Sequence, residues 1–226
     1  MTYTLITANR NYSSWSLRPW FLMTALGIPF VDRIEPFTAQ VNTAFAAFSP
    51  TAKVPVLIDG DRTIHDSLAI VMYLAERHEH IWPADPDARA WAQCAVAEMH
   101  SGFGALRNDC PMNIGVRVQP KPMSDALCAD VARIGALFTE GLNRFGGPWL
   151  AGAAITAADA FFAPVAWRVR TYGLDVGGAK LWVDRMIAQP AMREWEAQAL
   201  AETWREVDHE AELLACGDLT ADYRSG

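Results

Sequence analysis

Cysteine is scarce in this 226-residue chain, and its four cysteines are scattered at Cys94, Cys110, Cys128 and Cys216 with no Cys-x-x-Cys and no paired ligand spacing. That pattern excludes a disulfide framework and a zinc finger or ribbon. The five histidines are equally dispersed, so no metal is expected. Basic charge is also in deficit: 19 Lys and Arg against 26 Asp and Glu leave a net charge of −7, and the basic footprint that nucleic acid requires is missing. No apolar run approaches the ~18 residues needed to span a bilayer, so no membrane partner is expected. A basic-then-apolar leader is absent ahead of the first strand, which makes cytoplasmic residence the expectation. Internal repeats and low-complexity segments are absent too.

What the chain has is apolar material, 51% by count, enough for a sizeable core or two modest ones. Thr2 to Thr7 is β-branched and aromatic and reads as a strand. From Ser13 onward, Leu17, Trp20, Phe21, Met23 and Leu26 recur at helical spacing, with Gly27 as the stop. Between strand and helix lies Ser13-Ser14-Trp15-Ser16-Leu17-Arg18. A strand-to-helix turn aims unpaired N–H groups and the positive end of a helix dipole at whatever sits above the sheet edge, which favours an anion. Serine is a preferred N-cap, and capping is the plain reading of any one of these hydroxyls. Three serines in four positions exceed what a cap needs. A hydroxyl there also suits a bound thiolate, whose charged form it would stabilise.

Two further pieces fit the same pocket. Lys53-Val54-Pro55-Val56-Leu57-Ile58 reads as an apolar strand bounded by Asp59-Gly60, a hairpin-turn dipeptide, with Arg62 to His65 returning as its partner. Pro55 marks either a strand edge or a cis bond; a cis bond would turn the Val54 backbone outward to pair with a peptide ligand. Asp66-Ser67 then opens a crowded apolar helix ending near His78. Ser67 is a competent cap, yet a cap hydroxyl with free N–H groups suits an α-carboxylate, and Asp66 beside it suits an α-ammonium. Together they suit an amino-acid head group.

These residues resemble the N-terminal domain of the glutathione S-transferase superfamily, the zeta class most closely, whose Ser-Ser-x-Ser-x-Arg signature is matched by Ser13, Ser14, Ser16 and Arg18. Thr63 to Ile70 looks like the glutathione-binding strand and helix start of that class, although Asp66 stands where zeta members usually carry glutamine. The resemblance implies an α/β thioredoxin-like domain over residues 1–80, a linker at 81–86, and an all-α substrate and dimerisation domain over 87–226. It implies glutathione as co-substrate, a small electrophile as second substrate and a homodimer. Ser13 or Ser14 would act on the thiol, with Ser13 favoured in the zeta-like register and Ser14 in theta- and delta-like ones. Trp15, Ser16, Arg18, Val54, Pro55, Asp66 and Ser67 would surround glutathione, and Gln40 and Lys53 would be available to its glycyl carboxylate.

Past the Pro-rich connector, helical periods run from Asp87 through Phe103 and Leu106, and again from Ser124 to Phe145, with no convincing strand between or after. Thr156 and Asp159 form a near relative of the capping box. By resemblance, the second-substrate pocket draws on Phe103, Arg107, Asn108, Trp167, Arg168 and Arg170. The competing reading is core packing for the aromatics and a solvated face for Arg168 and Arg170. An arginine facing the pocket would select an anionic substrate. Two alternatives stand beside a transferase or isomerase: a non-catalytic binding or scaffold protein, and a glutathione-dependent disulfide reductase or peroxidase. The latter needs a cysteine near Ser13, where there is none.

Overall fold

A computed structural model describes residues 2–37 and 41–225. The first part of the chain runs β1 (Tyr3–Thr7), α1 (Ser14–Ala25), β2 (Phe30–Ile34), α2 (Val41–Ala46), β3 (Val56–Asp59), β4 (Arg62–His65) and α3 (Ser67–Ala75). Its strands form one sheet in the order β2-β1-β3-β4. β1 pairs parallel with β2 (Leu5 opposite Asp32) and antiparallel with β3 (Leu5 opposite Leu57). The β3–β4 hairpin closes with Asp59 opposite Arg62, and Gly60 supplies the positive φ of 59° that the turn needs. This mixed sheet with its crossing helices is thioredoxin-like. Leu17, Trp20, Phe21, Leu22 and Met23 are all buried on α1, because that helix lies between the sheet and the helical part of the chain.

The second part is built from α4 (Pro86–Ser101), α5 (Gly104–Asp109), β5 (Val116–Pro120), α6 (Asp125–Phe145), α7 (Ala157–Tyr172), α8 (Lys180–Ile187), α9 (Pro190–Ala201), α10 (Val207–Cys216) and β6 (Gly217–Asp222). Asp85 and Ser124 cap α4 and α6 through their side chains. α7 is the central helix, buried on nearly every side and packed against α1, α4 and α8. It carries Pro164 within its length. Asp159 anchors its first turn: the fully buried carboxylate accepts from Thr156 N (3.0 Å), Leu150 N (2.9 Å) and Trp182 Nε1 (3.0 Å). Burial pushes its pKa up to about 6, against the pull of those donors. Among the described residues no helix is long and apolar enough to cross a membrane.

Two features depart from the sequence reading. The helical period from Asp87 to Leu106 is broken in two, because α4 stops at Gly102 and Phe103 adopts a left-handed φ of 58° before α5 begins. The region expected to lack strands contains a two-stranded ribbon, β5 with β6, in which Val116 faces Asp222 and Pro120 faces Gly217. Its strands are 96 residues or more apart in sequence, and β6 holds few apolar residues, so local periodicity carries no sign of it. The fold is thus thioredoxin-like followed by helical, with one ribbon added by the C-terminal segment.

Candidate functional site

A cavity of about 640 Å³ lies where the sheet edge meets the helical part of the chain. The loop after β1 forms its floor. Ser13 N and Tyr12 N both bond back to Asn9 O, at 3.0 and 3.3 Å, which turns the chain sharply into α1. Ser13 and Ser14 line the cavity; Ser16 is fully buried beneath them. Although Ser13 is the N-cap residue of α1, its hydroxyl makes no cap bond and instead reaches Ser16 Oγ at 2.7 Å. The Ser14 hydroxyl has no partner among the described residues. Trp15 also lines the cavity.

The second wall is Lys53, Val54 and Pro55, with the Val54–Pro55 bond cis. Ser49 fixes this segment from behind, donating to Lys53 O (2.7 Å) and accepting from Lys53 N (3.2 Å). Gln40 lies outside the described residues. The third wall is Asp66 and Ser67. Asp66 holds a φ of 77°, unusual for a residue with a side chain, and its carboxylate caps α3 by accepting from Leu68 N at 2.7 Å. The other oxygen lies 3.6 Å from His100 Nε2.

Arg18 does not reach the cavity. It is fully buried behind the site, where Nη1 donates to Ser67 Oγ (3.3 Å) and the guanidinium stacks on Trp15 at 4.1 Å and Phe161 at 4.8 Å. Burial and the repulsion of Arg107 and Arg168 lower its pKa, Asp66 opposing them. Arg18 therefore positions Trp15 and Ser67 from beneath, and its charge adds to the positive potential behind the site.

Of the residues drawn from the helical part, Arg107 and Arg168 line the cavity and the others do not. Arg168 is buried, donating from Nε to Cys110 O at 2.8 Å and from Nη1 to Pro164 O at 3.3 Å. Burial, then the charge of Arg107, lowers its pKa to about 10. Arg170, two residues further along α7, points about 200° away and pairs instead with Glu196 at 2.8 Å. Trp167 is fully buried in the core. Phe103 turns inward at the break between α4 and α5 and meets Phe162 edge-on. Asn108 does not line the cavity, and its backbone carbonyl accepts from Cys216 Sγ at the end of α10, at 3.6 Å.

Several lining residues escaped the sequence reading, among them Tyr12, Phe37, His209 and Glu212, and His65 lines the cavity from the end of β4. His209 and Glu212 come from α10. That helix is held on the loop after β1 by one carboxylate ahead of it and one within it. Glu202 accepts from Arg10 N (2.5 Å), Asn11 N (3.3 Å) and Asn11 Nδ2 (3.1 Å), while Glu210 accepts from Tyr12 Oη (2.6 Å) and is paired with Arg224. The polar run Asn9-Arg10-Asn11-Tyr12 was the available signal, since such a run buried under a sheet edge needs partners.

The glutathione S-transferase N-terminal domain family model matches residues 12–77, and the C-terminal domain model of the same family matches residues 94–190. The chain belongs to the glutathione S-transferase superfamily. Among curated relatives of this chain, a zeta-class glutathione S-transferase from Euphorbia esula is 32% identical over 128 residues, covering 55% of this chain and 57% of that protein. Theta-1 from Mus musculus is 31% identical over 101 residues, covering 39% and 41%. The matches thus span about half the length of these relatives. A crystal structure of a glutathione transferase homologue from Burkholderia with bound glutathione has the same fold, at a TM-score of 0.66 and 22% identity, covering 88% of this chain and 98% of that one.

Proposed function

We propose that this protein is a glutathione transferase that activates the glutathione thiol through a serine hydroxyl and directs the thiolate at a small, anionic electrophile. The observation that carries the reading is the convergence of three chemistries on one cavity: Ser13 and Ser14 at a helix start, Asp66 and Ser67 at another, and Arg107 and Arg168 from the helical part. Asp66 would take the α-ammonium of the γ-glutamyl group and the α3 terminus its carboxylate. Val54 would pair with the cysteinyl backbone, and Lys53 would meet the glycyl carboxylate.

The thiol has an ordinary pKa near 8.5, so at neutral pH about 3% is thiolate without help. A hydroxyl donor and the N-terminus of α1 both stabilise the anion and lower that value. The Ser13 proton is engaged by Ser16, whereas the Ser14 hydroxyl has no partner among the described residues; this geometry supports Ser14 as strongly as the zeta-like register supports Ser13. Arg107 and Arg168 would orient a carboxylate-bearing electrophile for attack by the sulfur. With a cis-configured diacid, addition and re-elimination of the thiolate would give isomerisation; with an aryl halide, halide loss would give a conjugate.

None of the four cysteines lines the cavity, which weighs against a disulfide reductase. A cytoplasmic homodimer completes the proposal. The test is retention on immobilised glutathione followed by turnover of a generic aryl halide and of a maleyl cis-diacid. Retention with turnover of either supports the transferase reading. Retention without any turnover favours a binding or scaffold protein, and no retention removes the glutathione reading.

A further inference from the structure

The histidine that the C-terminal helix brings to the cavity wall is held more tightly than a packing role requires. His209 is stacked between two rings, Tyr12 at 4.9 Å with an interplanar angle of 23° and Phe37 at 5.1 Å with 26°. The two rings hold the plane of the imidazole, whose nitrogens exchange protons within that plane. One edge is taken: Nδ1 lies 2.6 Å from Glu206 Oε2, and the same carboxylate oxygen accepts from His209 N at 2.8 Å. Burial favours the neutral form of Glu206, but those bonds outweigh it and hold the carboxyl below its ordinary range. An ionised carboxylate on Nδ1 makes that nitrogen the N–H donor, so Nε2 is the basic atom of the neutral ring. Nε2 has no hydrogen-bond partner among the described residues, and His209 lines the cavity. His65 lines it too, but no ring stacks on it and no carboxylate holds either nitrogen among the described residues.

We propose that His209 is the proton acceptor for the glutathione thiol, with Glu206 as its positioning residue. The S–H bond breaks and an N–H bond forms at Nε2, directly or through one water. The Nδ1 proton stays on its bond to Glu206, so thiol plus imidazole become thiolate plus imidazolium. The serine hydroxyl and the α1 terminus then stabilise the sulfur anion while the ring keeps the proton for return to the product. Titratable and uncharged groups surround the ring. Tyr12 faces it from the loop after β1, its hydroxyl kept protonated by burial and by the bond to Glu210. Phe37 faces it without charge from the segment after β2. Glu206 at the N-cap of α10 and Glu212 within that helix flank it, and Arg224 from the C-terminal segment neutralises Glu210.

The proposal rests on the glutathione reading, and proton accounting separates the two. Glutathione binding to the whole chain is measured by titration calorimetry at pH 7.5 in two buffers of different ionisation enthalpy, giving the number of protons released. Bound-thiolate absorbance is followed in parallel, and circular dichroism verifies the fold of each variant. In the parent the proton stays on His209, so release is near zero although thiolate forms. His209→Gln is expected to release up to about one proton per thiolate formed. Glu206→Gln, which keeps the ring but removes its charge partner, is expected to fall between. Equal release from parent and both variants overturns the proposal while leaving the glutathione reading intact. Absence of glutathione binding to the parent overturns both.

Discussion

Arg168 offers the sharpest test of what the second half of the cavity selects. Its guanidinium is buried, lowered to about 10 by burial and by Arg107, and therefore still cationic at neutral pH. Replacement by glutamine removes the charge while an amide N–H remains to meet the carbonyls of Cys110 and Pro164 that Arg168 now serves. A hydrogen bond to a charged group contributes about 1.5–3 kcal/mol, so kcat/KM for a carboxylate-bearing electrophile should fall about ten- to hundredfold. The same ratio for a neutral aryl halide should change by less than about threefold, because no charged partner is lost. Arg168→Lys should recover part of the loss for the acid, lacking only the planar fork. The assay is initial-rate kinetics on both substrates, with glutathione saturating. An equal fall for acid and aryl halide would mean that Arg168 only props α7 against α5, and the anion preference would be wrong.

Three other outcomes follow from the same geometry. Asp66→Ala should raise the glutathione dissociation constant by about ten- to hundredfold in calorimetry, through loss of a charged hydrogen-bond partner; unchanged affinity would take Asp66 out of the site. Asp159→Ala should cost about 3–5 kcal/mol in denaturant melts by stranding buried donors, including Leu150 N–H and Trp182 Nε1–H. In the parent, Asp159 binds its proton more tightly when folded, with a pKa of about 6 against 3.8, so its contribution to stability falls as pH rises through that window and is level above it. Sedimentation at micromolar concentration should show a dimer formed through α3 and α4, where Met72 is 58% exposed on the described chain; a single species near 25 kDa would refute it.

The half of the site on the thioredoxin-like part was legible because its signals are local. The serine cluster opens α1, Asp59-Gly60 makes the hairpin and Asp66-Ser67 starts α3, each within a few residues of sequence. Arg168 could be named, but not separated from Arg170, because which side of α7 faces the cavity depends on how that buried helix is rotated against α1 and α4. For Phe103 the resemblance pointed to the site and helical spacing to the core, and the left-handed turn after Gly102 sends it into the core. His209 and Glu212 were invisible for another reason. They reach the cavity through a segment whose docking depends on Glu202 and Glu210 meeting residues nearly 200 positions earlier, a pairing that no local pattern encodes.

The central claim, a serine hydroxyl that stabilises glutathione thiolate, is tested most directly by the ultraviolet absorbance of the bound thiolate as a function of pH. The parent should titrate well below the free thiol's pKa of about 8.5. Ser13→Ala, Ser14→Ala or both should move that midpoint upward while calorimetry still shows glutathione bound. A midpoint unchanged in both single variants and in the double variant would contradict the hydroxyl mechanism.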